Sequence, residues 1–217
     1  MDEPYATKII DLFPHDCIEE WMNNGKEITF KKGELITTAG KLTKDVYLIK
    51  KGDAHVFHIH ADGKECVIGL LSSGDFIELL DIFTEKESNL FTKALTEVTV
   101  VAISKEKVRK IVEKTSSLAM ALLDHFSYRL QEMAEILMHV AYGKVEERLV
   151  FLLKKLVDPY KEEDGWGPIP AYITHKDMAG MVASTRETVT VLINKLIQVG
   201  VIRQYKNKIW IRLKEKK

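Results

Sequence analysis

The front half of the chain alternates short apolar runs with turn-forming residues. Apolar and β-branched stretches such as ITF (28–30), VYLIKKGDAHVFHIH (46–60) and KALTEVTVVAIS (93–104) recur from residue 28 onward. Glycines separate these stretches at intervals of seven to twelve residues, at Gly33, Gly40, Gly52, Gly63 and Gly74. Short strands divided by regular turns are typical of a closed β structure. The pattern predicts a small β-roll of the jelly-roll type over residues 1–115.

A helical period follows the predicted roll. Apolar side chains recur at spacings of 3, 4, 3, 4 and 3, with no proline among them, at Leu123, Phe126, Leu130, Met133, Leu137 and Val140. A seam this narrow usually faces another helix. It could pack on the chain's own roll, but continuous heptads favour a second copy of the chain. We therefore expect a helix over residues 116–142 that forms a homodimer.

Two short helices, each with its own N-terminal cap, are predicted in THKDMAGMVASTRETVTVLINKL (174–196). Thr174 precedes Asp177 by three residues, and Ser184 precedes Glu187 by three, which are capping-box spacings. Apolar positions fall on one face of each helix, at Met178, Met181 and Val182 in the first and at Val189, Leu192, Ile193 and Leu196 in the second. Two capped helices joined by a tight turn predict a helix-turn-helix.

The open face of the second predicted helix carries Thr185, Arg186, Glu187 and Thr190 near its N-terminus. A helix-turn-helix places such positions against base edges in the major groove of DNA. Arginine can donate two hydrogen bonds to guanine, and glutamate can accept one from cytosine N4. The alternative is a surface helix whose charged residues are merely solvated, and the caps and the turn spacing argue against it.

A β-hairpin is predicted directly after this helix. Gly200 ends the helix, and VIRQYKNKIWIR (201–212) contains two β-rich runs around a Lys-Asn turn. The hairpin resembles the wing of a winged helix, and its basic residues would lie beside the phosphates, although they could equally serve solubility: Arg203, Lys206, Lys208 and Arg212. Residues 143–217 are thus predicted to form a winged helix-turn-helix, and the whole chain an α+β fold.

The balance of acidic and basic residues also changes at the start of the predicted winged helix-turn-helix. The formal net charge is zero, but residues 143–217 carry 15 basic and 9 acidic side chains, and residues 1–142 carry 17 and 23. Two modules with different partners are therefore expected, and only the basic one is suited to approach DNA phosphates.

The remaining composition points to a cytoplasmic protein that is not an enzyme. No apolar run approaches eighteen residues, and MDEPYATKII lacks the basic and apolar regions of a signal peptide. Cys17 and Cys66 are the only cysteines and form no CxxC motif, so a reducing compartment is expected. We find no nucleophile–base set, metal triad or phosphate-binding loop in the sequence.

The chain resembles the Crp/Fnr superfamily of bacterial transcription regulators, named after the cyclic-AMP receptor protein and the fumarate–nitrate reductase regulator. The resemblance covers nearly the whole chain and lies in KKGELITTAG, VYLIKKGDAHVF, ADGKECVIGLLSSGDFIELLDIF and ITHKDMAGMVASTRETVTVLINKL. It implies a cyclic-nucleotide-binding-like β-roll that senses an effector, a long dimerisation helix, and two heads that enter successive major grooves of a palindromic operator. Double-stranded DNA, a second copy of the chain and RNA polymerase are the implied partners.

The resemblance, with the predicted wing, also indicates which residues contact DNA. Arg186 and Glu187 would read bases, and the full expected set is Thr174, Ser184, Thr185, Arg186, Glu187, Thr190, Val191, Lys195, Lys206 and Lys208. Val191 stands where the cyclic-AMP receptor has a further arginine, so the half-site should differ, because an apolar side chain cannot grip guanine. Ala183 replaces a glycine common in the turn.

The implied effector pocket departs from the pattern of the cyclic-nucleotide-binding members. Its matching positions are Phe76, Ile77, Glu78, Leu79, Ser88, Asn89 and Met133. The glycine before Glu78 is missing, and Ser88-Asn89 stands in place of an Arg-Ser pair. A buried phosphate without a cationic partner is poorly compensated, so the residues disfavour cyclic AMP.

The cysteines and histidines of the chain decide which other cofactors are expected. Two cysteines are too few for an iron–sulfur cluster, which takes four ligands. His58 and His60 lie on one face of a predicted strand, with Cys66 across the next turn, so haem or a transition metal stays open, although such histidines are more often simply exposed. Cys17 or Cys66 could be a redox-sensing thiol.

Three classes of function remain for the sequence. The first is a DNA-binding regulator switched by a signal in the roll. The second is the same dimer without an effector, with Leu79, Leu80 and Met133 filling the pocket. The third, an enzyme built on a β-roll, has no motif in its favour.

Overall fold

A computed structural model describes residues 8–63, 65–84, 86–157, 161–205 and 208–213. It confirms the α+β class: a β-roll, a long helix and a C-terminal winged helix-turn-helix. The chain divides into two compact units, one containing residues up to 60 together with 67–132, the other containing 61–66 together with 133–217. No helix in the described ranges is both long enough and apolar enough to cross a membrane.

Apart from the first two residues of β5, which fall in the second unit, the first unit contains two four-stranded sheets, ordered β1-β8-β3-β6 and β2-β7-β4-β5. Their strands are β1 Lys26–Phe30, β2 Leu35–Thr37, β3 Asp45–Lys51, β4 Ala54–Ile59, β5 Glu65–Leu71, β6 Phe76–Ile77, β7 Phe91–Ala94 and β8 Val98–Ser104. Helix α1 (His15–Asn24) precedes the roll, and helix α2 (Lys105–Lys114) follows it.

Strand β8 shows why this part of the sequence is apolar on both strand faces. Val98 and Val100 pack in the core between the two sheets, and Val101 and Ile103 pack in a second core against the helices. That second core includes Trp21 of α1 and the buried face of α2. A strand covered on both faces has no reason to alternate apolar and polar residues.

Gly52 splits the long run VYLIKKGDAHVFHIH into strands β3 and β4. Its φ is +95°, in the left-handed region, and an added Cβ would lie 2.2 Å from the carbonyl oxygen of Glu97. Only glycine fits this turn without a shift of the backbone.

Helix α3 runs from Ser116 to Tyr142 over 27 residues and contains the predicted seam. Five of the six seam residues are exposed in the single chain, between 37% for Val140 and 68% for Leu130. Phe126 is the exception, because it packs against the core of the roll beside Leu118 and Leu122. Phe126 is thus partly covered by the roll, and its place in the dimer interface stays a prediction.

The second unit contains α4 (Val145–Lys155), α5 (His175–Met181), α6 (Arg186–Gln198) and a three-stranded antiparallel sheet ordered β10-β11-β9. Strands β10 (Ile202–Tyr205) and β11 (Lys208–Arg212) are the predicted hairpin. Strand β9 (Trp166–Pro168) was not predicted, since its three residues lie in a Gly- and Pro-containing segment that reads as a loop.

Candidate nucleic-acid interface

The cap of α5 has the predicted geometry. The backbone N–H of Asp177 donates to the Thr174 hydroxyl over 3.2 Å, and the backbone N–H of Thr174 donates to the Asp177 carboxylate over 2.8 Å. This reciprocal capping box satisfies two backbone donors at the start of the helix. It fixes where α5 begins.

The cap of α6 differs from the prediction. The hydroxyl of Thr185, not that of Ser184, accepts from a backbone N–H, that of Thr188, over 3.2 Å. Helix α6 therefore begins at Arg186, so Glu187 is its second residue and does not occupy the third position that a capping box needs. The backbone N–H of Ser184 donates to the carbonyl oxygen of Ala179 over 2.9 Å.

Ala183 makes the turn between the two helices. Its φ is +49°, so a residue with a Cβ adopts the left-handed conformation that favours glycine. The strain for a non-glycine residue is of order 1–2 kcal/mol. The turn is therefore retained in this chain at some cost in stability.

One face of α6 is buried and the other is free to contact DNA. Val189, Ile193 and Leu196 are at most 2% exposed. Arg186 and Glu187 are exposed at the N-terminal end, and Val191 is 66% exposed one turn later. The predicted base-reading positions thus share an accessible surface.

Thr190 and Lys195 are engaged within the protein. The Thr190 hydroxyl donates to the carbonyl of Arg186 and lies 2.9 Å from Nδ1 of His175 in α5. The Lys195 ammonium lies 2.5 Å from the carboxylate of Glu146 in α4. Sequence reasoning did not identify His175 as a candidate residue. Only the structure shows that it contacts Thr190, which lies 15 positions further along the chain.

The basic residues of the wing divide into two kinds. Lys208, the first residue of β11, is exposed, and Lys206 lies outside the described residues. The guanidinium of Arg203 lies over the rings of Trp166 and Trp210 at 4.5 and 5.3 Å, and that of Arg212 lies 5.0 Å from Trp166. These two arginines support the sheet by cation–π contacts, which need no phosphate.

The residues of the expected effector pocket fall into different cores. Phe76 and Leu79 pack with Trp21 on the helix-covered face of the roll, and Ile77 packs between the two sheets. The Ser88 hydroxyl accepts from the backbone N–H of Leu90 over 3.2 Å, and Met133 is 52% exposed. Ser88 and Asn89 are both neutral, so neither position supplies a cationic side chain.

Glu78 has an unusual backbone conformation and a buried, paired side chain. It adopts φ +63°, in the left-handed region, and its side chain is 8% exposed. The carboxylate accepts from the Thr43 hydroxyl and lies 3.4 Å from the Lys105 ammonium, which is also 3.4 Å from Asp81. The carboxylate is therefore already paired inside the protein.

The geometry gives no support to a metal site at His58, His60 and Cys66 or to a redox-sensing thiol at Cys17. His58, His60 and Cys66 are exposed, and the described part of the chain contains no cluster of three metal-ligating side chains. Burial raises the pKa of the Cys17 thiol, and the neighbouring Asp16 and Glu20 carboxylates raise it further. A thiol kept protonated is a poor nucleophile toward oxidants.

Comparison with known proteins identifies the fold's relatives. Residues 27–115 match the model of the cyclic nucleotide-binding domain, and residues 147–216 match that of the Crp-like helix-turn-helix domain. The chain is 30% identical over 155 residues to the cAMP-activated global transcriptional regulator CRP of Salmonella typhimurium, covering 69% of this chain and 72% of that protein. The chain belongs to the Crp/Fnr superfamily.

A further relative and a solved structure are also similar to the chain over most of its length. The global nitrogen regulator of a Nostoc species is 26% identical over 186 residues, covering 84% of this chain and 83% of that protein. The solved structure of the c-di-GMP-responsive regulator CLP of Xanthomonas campestris superposes with a TM-score of 0.75 at 18% identity, covering 92% of this chain and 99% of that one. Crp/Fnr proteins are transcriptional regulators that bind DNA through the helix-turn-helix and act as dimers, and this chain is such a DNA-binding regulator.

Proposed function

We propose that two copies of the chain pair through α3 and bind a two-fold symmetric operator, and that a signal in the roll switches this binding. The observation that carries the proposal is the exposed Arg186–Glu187 pair at the N-terminus of a capped reading helix, followed by a wing. RNA polymerase is the expected further partner, and the bacterial cytoplasm, where the chromosome lies, the expected site of action.

The seam on α3 supports the dimer. Leu123, Leu130 and Leu137 are between 57% and 68% exposed in the single chain. Apolar side chains repeating on one helix face are stabilised when a second helix covers them. Two symmetric heads must then face the same side of the duplex, so the half-site centres should lie about one helical turn, roughly 34 Å, apart.

Selection of binding sites from random DNA tests this arrangement. The enriched sequences should be inverted repeats whose half-sites have that spacing. Enrichment of a single asymmetric site, bound by one protein chain, would contradict the proposed dimer on the operator.

Lys208 is expected to contact a phosphate. Lys208→Ala should weaken binding to the operator and to random DNA about equally, because it removes a contact that carries no sequence information. The slope of log affinity against log salt should fall by about one per chain. Fluorescence anisotropy over a salt series measures both effects.

Lys32→Ala is the matched control for this change. Lys32 is an exposed lysine of the roll, so its removal takes away the same charge elsewhere. If both variants change the salt slope equally, net charge and not a wing contact explains the effect.

We infer that the effector is not cyclic AMP. The relatives respond to different nucleotides by their names, cyclic AMP for CRP and c-di-GMP for CLP, so the fold does not fix the ligand. In this chain the positions of the phosphate-binding pair are the neutral Ser88 and Asn89, and Glu78 is held by Thr43 and Lys105. A cyclic phosphate would have to be buried without a cation at that place.

Titration calorimetry tests this inference, with a cyclic-AMP receptor protein as positive control. Millimolar cyclic AMP should produce no heat of tight binding and should not raise the affinity of the chain for its operator. A dissociation constant in the micromolar range would prove the inference wrong.

A regulator that needs no effector is the competing proposal. Switching by effectors is typical of the superfamily, which favours the sensing roll. Operator affinity of freshly purified protein, measured with and without a small-molecule cell extract, separates the two. If the extract changes the operator affinity, the roll senses a small molecule. If extracts from cells grown under different conditions all leave the affinity unchanged, the protein binds constitutively.

A further inference from the structure

A hydrogen-bonded pair joins the two helices of the helix-turn-helix. Nδ1 of His175, the first residue of α5, lies 2.9 Å from the hydroxyl oxygen of Thr190 in α6. The same hydroxyl lies 2.9 Å from the carbonyl oxygen of Arg186, one turn earlier in α6. Both distances are ordinary for hydrogen bonds. The pair ties the reading side of α6 to the start of α5.

The direction of these bonds follows from the chemistry of the three groups. A carbonyl oxygen can only accept, so the single hydroxyl proton of Thr190 points to Arg186. Nδ1 of His175 must then be the donor to the Thr190 oxygen. A neutral histidine with its proton on Nδ1 and a protonated histidine can both make this bond. The pair is therefore compatible with either charge state of His175.

The consequence concerns what Thr190 can offer to DNA. A free threonine hydroxyl can donate to or accept from several bases, so it discriminates poorly. Here the hydroxyl proton is already used, and one oxygen lone pair faces His175. The side chain is partly exposed, and Val191 beside it is 66% exposed. What the two residues can bring to a base edge is chiefly their methyl groups.

We propose that His175 is a positioning residue that makes Thr190 a methyl reader, which selects thymine at one position of each half-site. The C5-methyl of thymine is the apolar group of the major groove, and a threonine methyl is suited to contact it. The proposal rests on the proposed function, because it assumes that α6 enters the major groove. It adds a residue of α5 to the determinants of the operator.

Uracil substitution in the operator tests the methyl contact alone. Replacing thymine by uracil removes one methyl group and leaves every hydrogen-bonding group in place. The wild-type protein should bind about fourfold more weakly for each methyl group lost, so roughly fifteenfold more weakly when one thymine is replaced in each of the two half-sites. The positions are found by replacing each thymine of the selected operator in turn and measuring equilibrium affinity.

Two substitutions at Thr190 separate the methyl from the hydroxyl. Thr190→Ser keeps the hydroxyl and loses the methyl, so it should bind the thymine and uracil operators equally well. Thr190→Val keeps the methyl and loses the hydroxyl, so it should discriminate against uracil as the wild type does. Val191→Ala should abolish any penalty at a different thymine and leave the Thr190 position unchanged.

Substitutions at His175 test the positioning role. His175→Ala leaves the hydroxyl proton on the Arg186 carbonyl but frees a lone pair of the hydroxyl oxygen, which can then accept from the amino group of adenine or cytosine. Discrimination at the Thr190 position should therefore fall, and bases other than thymine should be accepted there in library selection. His175→Asn, whose amide can donate from close to the place of Nδ1, should restore the thymine preference. A merely structural role would weaken binding to thymine and uracil operators alike and leave their ratio unchanged.

The outcomes distinguish this proposal from the one on which it rests. If Thr190→Ser retains the full uracil penalty, or if His175→Ala retains the wild-type ratio, the methyl-reader proposal is overturned and α6 can still be the reader. If Arg186→Ala also leaves the selected motif unchanged, the assignment of α6 as the reader fails as well.

Discussion

Leu130→Glu should convert the dimer into monomers and abolish operator binding. Leu130 is 68% exposed in the single chain, so the substitution leaves the fold of each chain intact. In a two-fold symmetric pair of helices, each chain contributes its own copy of this residue to the shared seam. Two carboxylates would then be buried in one apolar interface without partners.

The expected effect on the dimer is large. An unpaired charge buried in an interface costs several kcal/mol, on the order of 3 or more, which raises the dimer dissociation constant roughly a hundredfold or more. Sedimentation equilibrium at micromolar concentration measures it. A single head then binds one half-site, so tight operator binding should be lost with the dimer.

Gln131→Glu is the matched control for this variant. It adds the same charge at the next position of the same helix, where the side chain is exposed and lies outside the seam. It should remain dimeric and bind the operator. A Leu130→Glu protein that still sediments as a dimer would exclude this face of α3 as the interface.

Arg186→Ala should remove sequence discrimination with little effect on general DNA affinity. The arginine is exposed at the start of α6, so its truncation should not disturb the buried Val189 and Ile193 behind it. Losing a two-hydrogen-bond contact to guanine should cost about 1–3 kcal/mol in each half-site, roughly 5- to 150-fold in affinity per contact. Binding to random DNA should change little, because that binding rests on phosphates.

Competition assays with operator and random DNA measure this ratio. Lys208→Ala is the internal contrast, because it should weaken both kinds of binding about equally. An equal loss for Arg186→Ala on both DNAs would place this arginine on the backbone, not on a base.

The parts of the fold that follow from periodicity could be predicted from the sequence. The roll, the long helix and the two short helices are each specified by a local pattern, strand-and-turn spacing or helical faces. The cap of α5 was predicted to the residue, since Thr174 and Asp177 satisfy each other locally.

The errors arose where local patterns compete or where tertiary contacts decide. Ser184 and Thr185 are both suitable caps, and the left-handed turn at Ala183 selected Thr185. Phe126 has the spacing of the seam, and the sequence does not show that it also packs against the core of the roll. Strand β9 forms because it pairs with β11, which lies more than 40 residues later in the chain. The local sequence of β9 does not reveal this pairing.

The candidate site could likewise be predicted only in part from the sequence. The exposed position of Arg186 and Glu187 follows from the helix period, and the structure agrees. The pairing of His175 with Thr190, and that of Glu78 with Lys105, joins residues 15 and 27 positions apart. Sequence spacing gives no signal for such contacts, although they decide what a reading helix and a ligand pocket can bind.

Selection from one random DNA library with three proteins tests most directly whether α6 reads the operator. The wild type should enrich an inverted repeat, and Arg186→Ala should lose the preference at one base pair of each half-site. Val191→Arg should gain a G·C pair in each half-site, because the new guanidinium can grip guanine where an apolar side chain cannot. The same motif from all three proteins would contradict the assignment of α6 as the reading helix.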